Sequence, residues 1–437
     1  MQFITIVLFQ NNEGMNLKVR LTIMNFLEFA VWGAYLTSMG RYLDRVGQAE
    51  NTGWFYSIQG IVSLFMPALV GIIADRWIQG QKLLGICHFL AGAFMLAASY
   101  YGVQAGNDVN FSTLFSLYTL SVAFFMPTIA LSNSVAYAVL NRAGMDTVKH
   151  FPPIRVFGTI GFICSMWVVD LGGMQQNALQ FAFSGILSFI LAFYVFTLPP
   201  CPVNREGGTK SFAEALGLQA FRLFKIKKMA VFFIFSMLLG ICLQITNGFA
   251  NPFISSFEDI PEYANTFGVQ HANILISLSQ ISETLCILLI PFFLRRFGIK
   301  TVMLMAMIAW VLRFAFFAMG DPGNGVWLFV LSMIVYGVAF DFFNVSGSLF
   351  VDKETDIHIR SSAQGLFMVM TNGLGATIGT LAAQEVINKY VNSLQNATGH
   401  QIVEGWSTCW YIFASYALIV AVLFAFVFRY KHVPEKL

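Results

Sequence analysis

Gly71-Ile-Ile-Ala-Asp75-Arg76-Trp-Ile-Gln-Gly80-Gln-Lys82 is a short charged turn set between two apolar runs, 54–74 and 83–101. Each run approaches the roughly 20 apolar residues that a helix needs to cross a bilayer. Two such runs joined by so short a turn read as a membrane hairpin of helices, because a helix satisfies its own backbone groups where no water can. A second turn, Arg295-Arg296-Phe-Gly298-Ile-Lys300, separates the runs 272–294 and 301–319 in the same way. Each turn follows the second run of its own set. The chain therefore repeats itself, and the repeat governs the rest of the reading.

Outward from these turns, the apolar runs are 21–42, 54–74, 83–101, 111–139, 154–171 and 178–198 in the first set. The second set is 229–251, 272–294, 301–319, 326–350, 361–383 and 407–428. The expectation is an all-α membrane protein of twelve transmembrane helices in two six-helix halves, residues 15–198 and 229–437. The stretch 199–228 is the longest polar one and reads as a linker on the same side as the termini. Within it, Phe212 to Lys228 predicts an amphipathic interfacial helix with Arg222, Lys225 and Lys228 on one side. Residues 1–14 form an extension without the basic start and cleavage site of a signal peptide.

Composition agrees. Only 11% of the 437 residues are charged and 57% are hydrophobic, with mean hydropathy +0.69. A soluble domain carries about 25% charged residues, so too little polar surface remains here to cover a globule in water. The six cysteines are scattered without a C-x-x-C pair, and the six histidines lack ligand spacing. Neither a disulfide framework, a metal site nor a cofactor is expected. His88, inside the third run, reads as a packing histidine.

Orientation follows from the basic residues, which concentrate on the cytoplasmic side of membrane proteins. With the amino terminus inside, Arg41, Arg45 and Lys389 alone fall in outer loops, and Arg313 falls within a run; every other Lys and Arg is inside. Both termini are expected in the cytoplasm.

Charge inside hydrocarbon is costly and therefore informative. Glu28 lies in the first run, Glu283 in the eighth, Arg313 in the ninth and Asp341 in the tenth, while Arg155 opens the fifth. The plain alternative is that these groups only pair to hold helices together. Polar neighbours sharpen the case. Gln244 and Asn247 are spaced i, i+3, as are Gln280 and Glu283, so each pair shares a helix face. Arg155, Thr159 and Phe162 form one stripe, and Tyr336, Phe340 and Asn344 another. Most of the 46 phenylalanines need no reading beyond lipid contact or packing. Those on polar stripes differ. Amides and a carboxylate bond to neighbouring hydroxyls, and rings stack on a flat partner. With few basic residues directed inward, the chemistry suits a neutral polyhydroxylated solute and does not separate nucleosides from sugars.

Both turns resemble the short inner loop G-x-x-x-D-R-x-G-x-K of the major facilitator superfamily, whose two halves are parallel repeats. In the first, Ile78 replaces the glycine, and Gly80 and Lys82 come two places late; the second lacks the acid. Asp75, Arg76 and Arg296 are then the candidate inner-gate clamp, with Asp75 as acceptor.

Longer strings narrow the match. These are Phe151-Pro-Pro-Ile-Arg-Val-Phe-Gly-Thr-Ile-Gly-Phe162, Leu243-Gln-Ile-Thr-Asn247, Ser279-Gln-Ile-Ser-Glu-Thr284 and Tyr336-Gly-Val-Ala-Phe-Asp-Phe-Phe-Asn344. With Gly144-Met-Asp146 and Gln270-His-Ala272, they closely resemble the bacterial nucleoside:proton symporter family from about Met15 to Val433. The resemblance implies proton-driven import of purine and pyrimidine nucleosides such as uridine and adenosine across the bacterial inner membrane. It implies a monomer, no cofactor and no nucleic-acid partner. It puts substrate contacts at Arg155, Thr159, Phe162, Gln244, Asn247, Gln280, Glu283, Tyr336 and Phe340, with Asp341 beside them. Proton coupling falls to Asp341, Glu283 or Glu28. Glu28 departs from the family's pattern, which has an amide there, and adds a titratable group. The first 14 residues have no counterpart in the family, which points to Met15 as the start.

The rival within transport is a sugar or oligosaccharide:proton symporter. A solute sensor would favour a long soluble signalling domain, and a membrane enzyme would need a nucleophile–base pair or a metal cluster. Neither feature is found in the sequence.

Overall fold

In a computed structural model, residues 2–201, 218–356, 359–394 and 396–430 are described, and among them there is no β-strand. The first stretch holds α1 (Gln2–Gly33), α2 (Met39–Arg45), α3 (Thr52–Arg76), α4 (Gly80–Ala105), α5 (Phe111–Arg142), α6 (Thr147–Leu171) and α7 (Leu179–Tyr194). After residue 217 come α8 (Lys227–Ser256), α9 (Phe267–Gln270), α10 (Ala272–Met319) and α11 (Val326–Glu354). Then follow α12 (Arg360–Met368), a π-helical stretch Val369–Gly375, α13 (Ala376–Ile387), a second π stretch Asn388–Asn392, and α14 (Gly399–Val427).

Among the described residues, ten helices are long and apolar enough to cross a membrane. One is α10, whose 48 residues at 1.5 Å each exceed a ~30 Å hydrocarbon layer about twofold. It joins the expected runs 272–294 and 301–319 into one element. Gly298, at φ 77° and ψ 168°, interrupts the helical backbone between them. That conformation suits a residue without Cβ, so the predicted turn is present as a kink at glycine. The first expected span is also broken: α1 stops at Gly33 and α2 resumes at Met39.

The linker expectation is met only in part of its length. Residues 202–217 lie outside those described, including the start of the predicted amphipathic helix. Leu218–Lys225 is a 3₁₀ turn, with Ala220 and Leu223 buried and Arg222 and Lys225 exposed. Lys228 belongs to α8 and pairs with Glu354 at 2.7 Å.

Large apolar side chains cover the outside, with Leu288 and Phe426 each about three-quarters exposed. Such a surface requires lipid as solvent. Helices meet through small residues. A Cβ on Gly161 would overlap the Phe26 carbonyl, and one on Gly33 the Phe162 carbonyl, so α1 and α6 touch backbone to backbone. Gly240 and Gly379 bring α8 against the Val369–Ile387 stretch in the same way. Close approach of this kind is how helices gain packing energy in lipid.

Candidate functional site

The stripes expected from the sequence lie on α6, α8, α10 and α11. On α6, Arg155 and Thr159 are half-buried and Phe162 is buried. The Arg155 guanidinium lies 3.9 Å over the Phe29 ring of α1, and Phe162 sets its edge against Trp32, centroids 6.0 Å apart. On α8, Asn247 Nδ2 donates to Gln244 Oε1 at 2.7 Å, confirming that the two share a face. On α11, the rings of Tyr336 and Phe340 stack at 5.7 Å with 6° between their planes.

Electrostatics join these helices. Arg155, from the first stretch, attracts Glu283, from the second. Glu283 in turn interacts with Asp341 and Tyr336 on α11. Two acceptors in this group, Gln280 Oε1 and Asp341 Oδ2, are buried with no hydrogen-bond partner among the described residues. Buried polar atoms are ordinarily bonded, so these two acceptors are left with capacity to take a hydrogen bond.

Two residues support this wall that the sequence reading left outside it. Arg313, fully buried on α10, lies 4.5 Å beneath the Tyr336 ring and donates to the Ser332 carbonyl at 2.7 Å. It fixes Tyr336 from behind. Trp310 meets the same ring edge-on at 5.9 Å. Arg313 was recognisable as intramembrane charge; its partner depended on which helix packed against it.

Glu28 stands apart from the substrate wall. It is fully buried, bonded to His88 at 2.8 Å and to the Thr128 hydroxyl at 2.6 Å, while still within electrostatic reach of Arg155. The packing histidine of the sequence reading thus has an acid partner. Of the gate candidates, Arg296 is exposed beside the Gly298 kink, and the side chains of Asp75 and Arg76 lie outside the described residues.

A further cluster went unread in the sequence. At the end of the bundle opposite the α3–α4 turn, hydrogen bonds cross between the stretch before residue 202 and that after 217. Asp170 accepts from the backbone N–H groups of Asn273 and Ile274 at 3.0 and 3.2 Å, and lies 2.6 Å from His271 Nδ1. Arg41 pairs with Glu258 at 2.8 Å, Thr37 bonds Asn273, and the Gly53 N–H bonds Gln384. At the other end, Arg142 bonds the Pro200 carbonyl and Lys300 the Ala425 carbonyl, each within its own stretch. The first stretch also has there a separate apolar core around Leu84, Val135 and Leu191. Among the described residues, these hydrogen bonds between the two stretches gather at the end opposite the α3–α4 turn. Asp170 closes the predicted run 154–171 and is the one signal that reading had available.

Comparison with known proteins agrees with this geometry. The family described as "Nucleoside H+ symporter" matches residues 15–433. The xanthosine permease of Escherichia coli (strain K12) is 48% identical over 97% of this chain and 98% of its own length. The nucleoside permease NupG of the same organism is 48% identical over 96% and 97%. A crystal structure of the nucleoside transporter NupG superposes with a TM-score of 0.86 at 47% identity, covering 95% of this chain and all of that one. These relatives are permeases and transporters, not enzymes. With a match along nearly its entire length, the chain belongs to the nucleoside H+ symporter family.

Proposed function

We propose that the chain imports purine and pyrimidine nucleosides with protons by alternating access, binding them between two six-helix halves. The observation that carries this reading is the attraction between Arg155 of α6 and Glu283 of α10, on either side of residues 202–217, in a group that also holds the unmet acceptors of Gln280 and Asp341. A solute held there touches both halves, so its arrival bears on their relative position.

In this reading Gln244, Asn247, Gln280 and Glu283 take the ribose hydroxyls. Phe162, Tyr336 and Phe340 enclose the base, and Arg155 and Thr159 complete the polar wall. Asp341 carries the coupling proton, with Glu283 and Glu28 as further acids. The unmet Oδ2 of Asp341 supports that choice, since a proton there meets no competing donor among the described residues.

Twelve passes follow if α10 counts as two at Gly298 and α1 joins the ten apolar helices. The halves are then 15–198 and 229–437, with 199–228 between them and 1–14 as an extension. Matching glycine contacts in both halves favour the repeat. Placing both termini in the cytoplasm puts the cross-bonded end outside, which favours an inward-facing reading of this conformation. Asp75, Arg76 and Arg296 would clamp the inner end when it closes. The site of action is the bacterial inner membrane, and one chain suffices.

Uptake of labelled uridine and adenosine by expressing cells tests the reading. Accumulation that a protonophore abolishes is expected, and accumulation indifferent to it would leave a facilitator.

A further inference from the structure

Glu28 and His88 anchor a group of hydrogen bonds that neither the substrate wall nor the cross-bonded end uses. Both side chains are fully buried. Glu28 Oε2 lies 2.8 Å from His88 Nε2, and Thr128 Oγ1 donates to Glu28 Oε1 at 2.6 Å. Beyond the ring, Ser188 Oγ stands 3.0 Å from His88 Nδ1 and 2.9 Å from the His88 carbonyl oxygen. Four helices, α1, α4, α5 and α7, supply the four residues.

Counting protons separates this group from a simple ion pair. A contact of 2.8 Å between Nε2 and Oε2 is a hydrogen bond and holds one proton. The count at Nδ1 is open, because a serine hydroxyl both donates and accepts. With the Ser188 hydroxyl turned to Nδ1, the ring is neutral and the pair carries the single negative charge of Glu28. With the hydroxyl turned to the His88 carbonyl, Nδ1 takes a proton and donates it to Ser188 Oγ. The pair is then neutral overall. One proton is gained, no heavy atom moves, and every polar atom keeps a partner in both states.

Besides its bond to His88, Glu28 acts electrostatically on Arg155 from α6 and on Cys87 on α4. α5 presents Thr128 and the Phe125 ring, 6.0 Å from the imidazole, and α7 presents Ser188. Arg155 feels Glu283 as well as Glu28. One guanidinium thus stands between an acid of its own half and an acid of the substrate wall. In a medium of low dielectric, a unit change of charge on either side is strongly felt.

We propose that Glu28 and His88 form a second proton-loading site, with Ser188 as its hydroxyl switch and Arg155 relaying its charge to Glu283. This rests on the reading of the chain as a nucleoside:proton symporter. The loaded pair is neutral and leaves Arg155 to Glu283; the unloaded pair draws Arg155 back towards α1. Because the pair has no exposure in this conformation, its proton exchanges in another state of the cycle, as a coupling site requires.

The test uses the full chain in proteoliposomes, with the number of protons per nucleoside read from the reversal potential. Glu28→Gln keeps an acceptor for the ring N–H and removes the charge; His88→Gln removes the proton acceptor. Each is expected to move one proton fewer per nucleoside than the parent, and the double variant no fewer than either single one. Equal ratios in the parent and both variants would overturn the inference alone. A parent whose uptake ignores the proton gradient would overturn the symport reading and this inference with it. Should either variant fail to fold, Ser188→Ala leaves the pair intact but strips the loaded ring of its acceptor. Half-maximal uptake is then expected at a proton concentration about fivefold higher, because the loaded ring loses the bond of a charged group and the unloaded ring only that of a neutral one. A pH profile unmoved by Ser188→Ala would overturn the proposal equally.

Discussion

Replacing Asp170 by alanine would show whether the cross-bonded end decides which face of the molecule is open. Asp170 is buried at the end of α6 and makes its contacts to residues beyond 217, His271 and the backbone N–H groups of Asn273 and Ile274. Those N–H groups begin α10 and have no partner within the helix, and the carboxylate sits at the positive end of the helix dipole. One hydrogen bond to a charged group is worth about 1.5–3 kcal/mol. Contacts that share one carboxylate do not add in full, which makes ~3 kcal/mol the working figure for the set. They exist only while this end is closed. Their loss therefore moves the closed-to-open equilibrium by roughly a hundredfold, at 1.4 kcal/mol per decade. Spin labels at exposed Asp108, between α4 and α5, and exposed His400, in the first turn of α14, report the separation by pulsed dipolar spectroscopy. Exposed Cys164 is replaced first, since the other five cysteines are buried. A longer-distance population is expected in Asp170→Ala, and a smaller one in Asp170→Asn, which keeps an acceptor for the N–H groups. Superimposable distance distributions in parent and Asp170→Ala would refute the argument.

Other outcomes follow from the same geometry. Glu283→Ala and Gln280→Ala each lose about ten- to hundredfold in uridine affinity, the worth of one hydrogen bond involving a charged partner, while inserting normally. In the parent, uracil, lacking ribose, competes poorly with labelled uridine; equal competition would dissolve the ribose assignment. Asp341→Asn keeps size and hydrogen bonding, so nucleoside counterflow persists in vesicles while uptake driven by an imposed pH difference fails. Intact driven uptake would move the coupling role to Glu283 or Glu28. Gly161→Ala places a Cβ against the Phe26 carbonyl and costs about 1–3 kcal/mol, as overpacking of a filled core does. A thermal inactivation midpoint equal to the parent's would show that α1 and α6 yield at no cost.

How far the sequence carried the site can be seen residue by residue. Gln244 and Asn247 were legible as a pair because helical spacing alone puts them on one face, and they are bonded to each other. Tyr336 and Phe340 were legible for the same reason. Glu28 was legible as a buried acid, but its partner was not. His88 is 60 positions away in the chain, and periodicity carries no information on which turn of one helix meets which turn of another. Asp170 was passed over because it looks ordinary at a span end, and His271 was read only within the string Gln270-His-Ala272; only their meeting makes them a latch.

By itself, the sequence determined that this chain lives in lipid as helices and which family it belongs to. Those properties follow from local causes: the length of an apolar run, the expense of buried charge, and strings of neighbouring residues. The tertiary structure alone decided that the expected eighth and ninth spans run on through a kink at Gly298. It alone decided that Glu28 meets His88, that Arg155 acts on Glu283, and that Asp170 bonds the start of α10. Each of these depends on contacts between helices far apart in the chain. In lipid such contacts are chosen by how closely small residues let two backbones approach and by which polar groups then find partners, and neither is written in the order of residues along one helix.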